Sequence, residues 1–267
     1  MVNINVIFVV LNDLNRLKKS IEKLCLLKKK DEFRIIIIDG KSEDKTDAFL
    51  KEEIDSIDIW ISEPDQGIYD AMNKGINLAK NDWSIFINAG DVIADDTVLD
   101  KIGPFLTDEF DVIYGDTIIK YPDFNILKKS RLINQLWKGM IFSHQSVFIR
   151  TPLLKNNKFD LKYKIGADYD QLFRLYKQNK RFKYVPIPIS IIESNGISDQ
   201  KILKSWFEHF KILKSYEQLS LKMIFYHLFL FFFLVGLKIV RKIMLRKFYF
   251  LIIKMIYKKR LVTVTGS

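Results

Sequence analysis

A chain of 267 residues with 48% apolar and 28% charged residues builds a buried core and is neither disordered nor fibrous. Its single cysteine, Cys25, excludes an intrachain disulfide framework and a thiolate metal cluster, and it fits a reducing compartment. The net charge of +11 is lopsided: residues 1–217 carry 33 Lys/Arg against 32 Asp/Glu, while residues 218–267 carry 10 Lys/Arg and no acid, which argues against a diffuse basic surface for nucleic acid.

Met1–Asn12 is apolar and lacks a basic leader region and a small-residue cleavage site, so it reads as a first buried strand over Asn5–Leu11. Leu14–Leu27 follows with apolar residues at a helical period. Arg34–Ile38 is a second buried strand, after which Ser42 is expected to cap a helix with Glu43 and Asp44 in its first turn. Ile57–Ile61 is a third strand, Ile68–Ala79 a helix and Trp83–Ile87 a fourth strand. Further on, Asp111–Ile119 is a strand with a turn expected at Gly115-Asp116, and Ser143–Ile149 is another. Asp168–Tyr176 is a helix, and Tyr184–Ile192 is a late strand that Pro186 and Pro188 place at an edge.

Apolar strands alternating with helices predict a parallel sheet covered on both faces. Ligands then bind beyond the carboxyl ends of the strands. Those ends carry Asn12-Asp13, Asp39-Gly40, Glu63-Pro64-Asp65 and Asn88-Ala89-Gly90-Asp91. In Ser62–Gly75 (S-E-P-D-Q-G-I-Y-D-A-M-N-K-G), a turn leads into a helix presenting Asp70, Asn73 and Lys74 at near-turn spacing. Asp70 as a cap and Lys74 as a solvated cation is the plainer alternative. Gly75 inside the helix costs about 1 kcal/mol relative to Ala and so implies a close approach. Asp91, at the end of a buried strand, either closes a turn or supplies a hard oxygen to Mg²⁺ or Mn²⁺ shared with a phosphate.

Taken in order, Val9–Asn12 (V-x-L-N), Ile38–Thr46 (I-D-G-K-S-E-D-K-T), Ser62–Gly75 and Phe86–Asp91 (F-I-N-A-G-D) resemble family 2 glycosyltransferases of the GT-A fold. The resemblance spans roughly residues 4–200. It is strongest to bacterial enzymes that assemble O-antigen, capsule and colanic-acid-type polysaccharides. It implies a Rossmann-like, mostly parallel sheet flanked by helices, a nucleotide pocket from Val9, Leu11 and Asp39, and a wall supported by Asp65 and Asn73. The family's D-x-D metal motif falls on Asn88–Asp91 with Asn88 in place of the leading acid, which leaves Asp91 as the direct carboxylate to the metal and Asn88 among the residues expected to bind the nucleotide sugar. Gly166-Ala167-Asp168 resembles the family's G-E-D motif with Ala167 in place of Glu. It puts Asp168 on the general base, whereas helix capping by Asp168 and Asp170 is the local alternative. A carboxylate at a helix N-terminus is held ionised by the dipole and suits proton acceptance. Ser143-His144-Gln145-Ser146 supplies His144 and Gln145 as candidate lining of the acceptor or diphosphate, whereas His209 and His227 lack such a context. Asn195-Gly196-Ile197-Ser198 resembles a loop closing over the diphosphate.

The implied reaction is inverting transfer from a nucleotide diphosphate sugar, UDP-linked, to an undecaprenyl-diphosphate-linked acceptor. A polyprenyl-phosphate sugar synthase is the alternative on the same donor site. A sugar-nucleotide pyrophosphorylase would need a Gly-rich, Arg-containing loop where Val10–Leu14 stands, and a purely membrane-binding module would not explain four polar strand ends.

From Leu219 the character changes. Met223–Leu237 is a fifteen-residue apolar run, short of the ~20 residues that span a bilayer. Lys238–Arg260 then interleaves nine cations with apolar residues. Lys238, Arg241, Lys242 and Arg246 share one helical face, and the later cations drift off it, which predicts a bend. Such a segment suits an anionic membrane interface, with a transmembrane hairpin or a helical pair completing the core as alternatives. The expected division is a catalytic domain over 1–215 and a basic amphipathic tail over 216–267, peripheral at the cytoplasmic face of a bacterial inner membrane. The last seven residues, from Leu261, carry no sequence signal.

Overall fold

The computed structural model describes residues 4–27, 33–52, 57–194, 201–217, 219–243, 250 and 253–263. The first half alternates β1 (Ile4–Val10), α1 (Leu14–Leu27), β2 (Phe33–Asp39), α2 (Thr46–Glu52), β3 (Ile59–Ser62), α3 (Ile68–Leu78) and β4 (Trp83–Asn88). β1 lies between β2 and β4, parallel to both, and β3 adds parallel to β2. These strands are continuous apolar runs because helices cover both of their faces. Ile7, Val9, Ile36, Ile38 and Phe86 pack on one side against α3, while Val6, Phe8, Ile35, Ile37 and Ile85 pack on the other against α1. A Cβ at Gly75 would collide with Ile7, so the glycine lets α3 lie close on β1.

Beyond β4 the sheet becomes mixed, with β5 (Val92–Ile93), β6 (Val112–Lys120), β7 (Asn125–Lys128), β8 (Val147–Arg150), β9 (Phe182–Glu193) and β10 (Leu261–Val262). β8 runs antiparallel to β4 and β6, β7 antiparallel to β6, and β9 parallel to β6. The turn expected at Gly115-Asp116 is instead a register shift between β6 and β9 inside a continuous strand. A Cβ at Gly115 would meet the Ile187 carbonyl at 2.6 Å, so only glycine admits that approach. β9 takes a second neighbour, β5, only at Ser190–Ile191, so among the described residues the Pro186–Pro188 stretch has β6 alone beside it.

The helices of the second half are α4 (Val98–Ile102), α5 (Thr151–Asn156), α6 (Ala167–Lys177), α7 (Ile202–Tyr216) and α8 (Leu221–Ile243). Two expectations are corrected here. Ser42 does not cap α2, because its N–H and hydroxyl serve Asp39; α2 starts at Thr46, whose N–H bonds the Asp44 carboxylate at 3.2 Å. The apolar C-terminal run is also longer than expected. Helix formation from Leu221 gives 19 residues, Leu221–Ile239, long and apolar enough to cross a membrane by length and composition, with 6% of the apolar window buried. Its large exposed side chains include Phe225, Phe229, Phe232 and Phe233. Its inner side packs on α7, where His227 and Phe231 meet Trp206 and Phe210. Further toward the C-terminus Leu261 and Val262, silent in sequence, pair antiparallel with Ile126 and Asn125 of β7. Arg246 of the cationic stripe, Lys247 beyond it, the side chains of Arg241 and Lys242, and the Asn195–Ser198 loop lie outside the described residues.

Candidate active site

The carboxyl ends of β1, β2, β3 and β4 face one edge of the sheet, and their polar residues are cross-linked to one another. The β1–α1 and β2–α2 turns are joined by Asn12 N–H to Ser42 Oγ (2.7 Å), Glu43 N–H to Asn12 Oδ1 (2.7 Å) and Leu14 N–H to Asp44 Oδ2 (2.9 Å). A shallow open cleft of about 310 Å³ lies there, lined by Asn12, Asp13, Leu14, Asn15, Asp44 and Lys45. Val9 is buried beneath this edge, and Leu11 projects from it, 56% exposed.

Asp39 is fully buried at the end of β2. Its carboxylate accepts from Ser42 N–H (3.1 Å) and from the hydroxyls of Ser42 and Ser62 (2.6 Å for Ser62). Buried carboxylates need such donors, and here they fix the wall of the edge. Asp65 packs where a Cβ on Gly40 would collide with its carboxylate, and it accepts Gly67 N–H at 2.8 Å. Asp70 accepts Gln66 N–H at 3.0 Å, and Lys74 donates to the Pro64 carbonyl at 2.7 Å while pairing with Glu63 at 2.9 Å. The Glu63–Gly67 turn is thus stapled by its own helix. Asn73 is half-buried and clamps the backbone of Phe159, donating to its carbonyl and accepting its N–H, both at 2.9 Å.

Asp91 is 7% exposed after β4. Gln145 Nε2 donates to its Oδ2 at 2.8 Å and Glu193 N–H to its Oδ1 at 3.2 Å. Burial pushes its carboxyl up to about 7, with Glu193 adding to the rise while these donors and Arg16 oppose it. Arg16 also pairs with Glu193 at 3.1 Å and covers Gly90, whose φ of +95° requires glycine. Nearby, Asn88 Oδ1 is buried without a partner.

Among the described residues no three acids, histidines or cysteines converge as a self-contained metal cage. The oxygens of Asp91 and the orphaned Asn88 nevertheless match the one-or-two-ligand sites that hold Mg²⁺ or Mn²⁺ jointly with substrate phosphates.

On the neighbouring side, Asp168 stands in the first turn of α6. Its Oδ1 accepts Tyr69 OH at 3.0 Å and Tyr169 N–H at 2.9 Å, and its Oδ2 has no hydrogen bond among the described residues. Burial and the adjacent Asp168 hold the Tyr69 phenol well above its ordinary range, so it remains a donor. Asp170 is instead buried and consumed by Arg174 (3.0 Å) and Tyr216 (3.0 Å). His144 stacks on Phe86 with ring centroids 5.0 Å apart, and its Nε2 is buried without a partner. Burial lowers its imidazole below the usual value against an upward pull from Asp168. His209 packs on Tyr169 at 4.6 Å, and His227 bonds the Trp137 carbonyl at 2.9 Å.

Sequence reasoning missed Tyr69 as the partner of Asp168 and Gln145 as the partner of Asp91. The one available signal was the aromatic Tyr69 itself, on the buried side of α3 one turn before Asn73.

Residues 5–183 match the family described as Glycosyl transferase family 2. Among curated relatives, a PGL/p-HBAD biosynthesis glycosyltransferase of Mycobacterium bovis is 28% identical over 186 residues, 65% of this chain and 72% of the relative. Among solved structures, S. aureus TarS 1-349 in complex with UDP-GlcNAc superposes with a TM-score of 0.61 at 14% identity, over 83% of this chain and 69% of that one. Glucosyl-3-phosphoglycerate synthase of Mycobacterium tuberculosis, in complex with Mn²⁺, UDP and glucosyl-3-phosphoglycerate, gives 0.59 at 16% identity, over 80% and 79%. The fold is GT-A-like, a mostly parallel sheet flanked by helices, with an apolar helix near its C-terminal end.

Proposed function

The chain belongs to glycosyl transferase family 2, and from that premise we propose that it is an inverting enzyme moving a sugar from a nucleotide diphosphate sugar, UDP-linked, to a hydroxyl of a lipid-linked oligosaccharide in bacterial surface polysaccharide synthesis. The observation that carries the reading is the pairing of two chemically different carboxylates. Asp91 is buried beside the orphaned Asn88, and Asp168 is half-buried with one oxygen held and the other open. The mycobacterial relatives, named for a biosynthetic glycosyltransferase activity, and the UDP complex of the M. tuberculosis synthase support the reaction class and the donor.

In this reading Leu11, Val9 and the Asp39 wall receive the nucleoside, with Asp65 and Asn73 holding that wall in place. Asp91 and Asn88 would hold Mn²⁺ or Mg²⁺. The ion would offset charge on the departing diphosphate. Asp168 takes the proton of the acceptor hydroxyl on its free Oδ2 while Tyr69 fixes Oδ1. The acceptor oxygen bonds to the anomeric carbon from the face opposite the leaving group, and the bond electrons leave with the nucleoside diphosphate. One displacement inverts the configuration. His144 and Gln145 line the diphosphate or acceptor, the unpaired Nε2 offering a contact to a hydroxyl or phosphate oxygen.

The tail supports a lipid-linked acceptor and a peripheral position at the cytoplasmic face of the inner membrane. A catalytic unit over 1–215 is followed by a segment over 216–267 that carries the exposed phenylalanines of α8 and ten cations without an acid. Transfer of label from UDP-sugars into an undecaprenyl-diphosphate-linked acceptor, with the product anomer read by NMR, tests the proposal. Label in bare polyprenyl phosphate instead would identify a polyprenyl-phosphate sugar synthase, and turnover into neither would defeat both.

A further inference from the structure

The turn that delivers Asp168 is held from outside its own helix. Glu208, on α7, accepts the backbone N–H groups of Ile165 and Gly166 with the same Oε2, both at 2.9 Å. These are the two residues that lead into α6, two and three positions before Asp168. From the opposite side the single hydroxyl proton of Tyr69 is shared between the Ile165 carbonyl at 2.5 Å and Asp168 Oδ1 at 3.0 Å. The same short backbone is therefore gripped by Glu208 through its N–H groups and by Tyr69 through its carbonyl. α7 also lies directly on Gly166, where a Cβ would meet His209 at 3.1 Å and Ile212 at 3.2 Å. Among the described residues Glu208 has no ion-pair partner, so its carboxylate is spent on this backbone.

We propose that Glu208 is a positioning residue for the reaction: by clamping the Ile165–Gly166 backbone it sets the entry of α6 and keeps Asp168 aimed at the acceptor hydroxyl. This rests on Asp168 being the base. Placement of a reacting carboxylate is sensitive to shifts well under a bond length, so a loosened turn costs rate rather than donor binding. The face of α7 bearing Trp206 and Phe210 packs on His227 and Phe231 of α8, so the clamp is anchored on the apolar helix.

The test uses the full chain with Glu208→Ala, Glu208→Asp, Glu208→Gln and Asp168→Asn. Glu208→Ala is expected to lower kcat by about 10- to 100-fold while the donor KM and the thermal shift by UDP with Mn²⁺ stay within about 2-fold. Glu208→Gln, whose amide oxygen accepts the same two N–H groups, restores kcat to within about 3-fold of the parent. Glu208→Asp, a methylene short, falls between the two and replaces Glu208→Ala in the comparison if that variant does not fold. The proposal is overturned if Glu208→Ala keeps its kcat, or if kcat, donor binding and melting temperature fall together and Glu208→Gln rescues none of them. An active Asp168→Asn would remove the base reading itself, whereas an inactive Asp168→Asn with a fully active Glu208→Ala would remove only the clamp.

Discussion

Gln145 Nε2 donates to Asp91 Oδ2 at 2.8 Å, joining the turn before β8 to the turn after β4 across 54 residues of sequence. The neighbouring His144 lies within the field of Asp168. One dipeptide thus touches the carboxylate assigned to the donor and senses the one assigned to the acceptor. Gln145→Ala is expected to weaken Mn²⁺-dependent nucleotide binding by about 3- to 30-fold, since a freed Asp91 loses about one hydrogen bond of orientation. Titration of Mn²⁺ at saturating UDP reads this, and an unchanged midpoint contradicts it.

The stability of the protein should fall with rising pH because of Asp91. Its folded value, about 7, lies above the ordinary 3.8, so between those values the folded state keeps a proton that the unfolded chain has released. The contribution is fully present below pH ~4 and is lost as pH rises to about 7, on the order of 4 kcal/mol in all. Asp91→Asn removes the titration and should raise Tm at pH 8 by roughly 2–8 °C. Melting curves at pH 5 and pH 8 decide it: equal pH slopes in parent and variant would refute the assignment.

Asp168→Asn should keep the donor site and lose the chemistry. The amide cannot accept the proton of the attacking hydroxyl, and kcat should drop by about 10²- to 10⁴-fold at a donor KM within a few-fold of the parent. Steady-state kinetics with a saturating acceptor measure the split. A fall confined to KM would place Asp168 in binding rather than proton transfer.

The paired Asn73 bonds to Phe159 make a structural prediction. Asn73→Ala leaves a buried N–H and a buried carbonyl unpaired and should cost about 2–4 kcal/mol. Denaturant unfolding monitored by tryptophan fluorescence gives the value. A cost under ~0.5 kcal/mol would show that water replaces the clamp.

The exposed rings of α8 make a membrane prediction. Phe229 and Phe233 stack one turn apart on its outer side. Phe229→Glu with Phe233→Glu should reduce sedimentation with anionic vesicles at least ~10-fold, given ~1.5–3 kcal/mol for each buried ring. Equal sedimentation of parent and variant would argue that these rings do not enter lipid.

The parallel half of the fold was legible because buried strands such as Arg34–Ile38 write a continuous apolar run, and each ends at a polar residue on one edge. Asp91 and Asp168 were legible as residues because short local motifs surround them. Their partners were not: Gln145 and Glu193 reach Asp91 over 54 and 102 residues, Tyr69 reaches Asp168 over 99, and Glu208 reaches the backbone ahead of Asp168 over 43 and 42, through tertiary packing that has no period in sequence. Asn73 was read as a pocket wall, yet its amide faces the Phe159 backbone, a distinction that only the approach of that segment reveals. The apolar stretch of α8 was underread because Leu221 and Lys222 precede the run and Lys238 and Ile239 follow it, and only the helix shows that they belong to it.

The most direct measurement of the central claim is a thermal-shift panel in mild detergent with UDP, GDP, CDP, dTDP and ADP, each with and without Mn²⁺, on the parent and on Asp91→Ala. The account predicts stabilisation by UDP that depends on Mn²⁺ and vanishes in Asp91→Ala. No stabilisation by any nucleotide at an excess of ~100-fold over a micromolar Kd, where mass action gives about 2.7 kcal/mol, would contradict it.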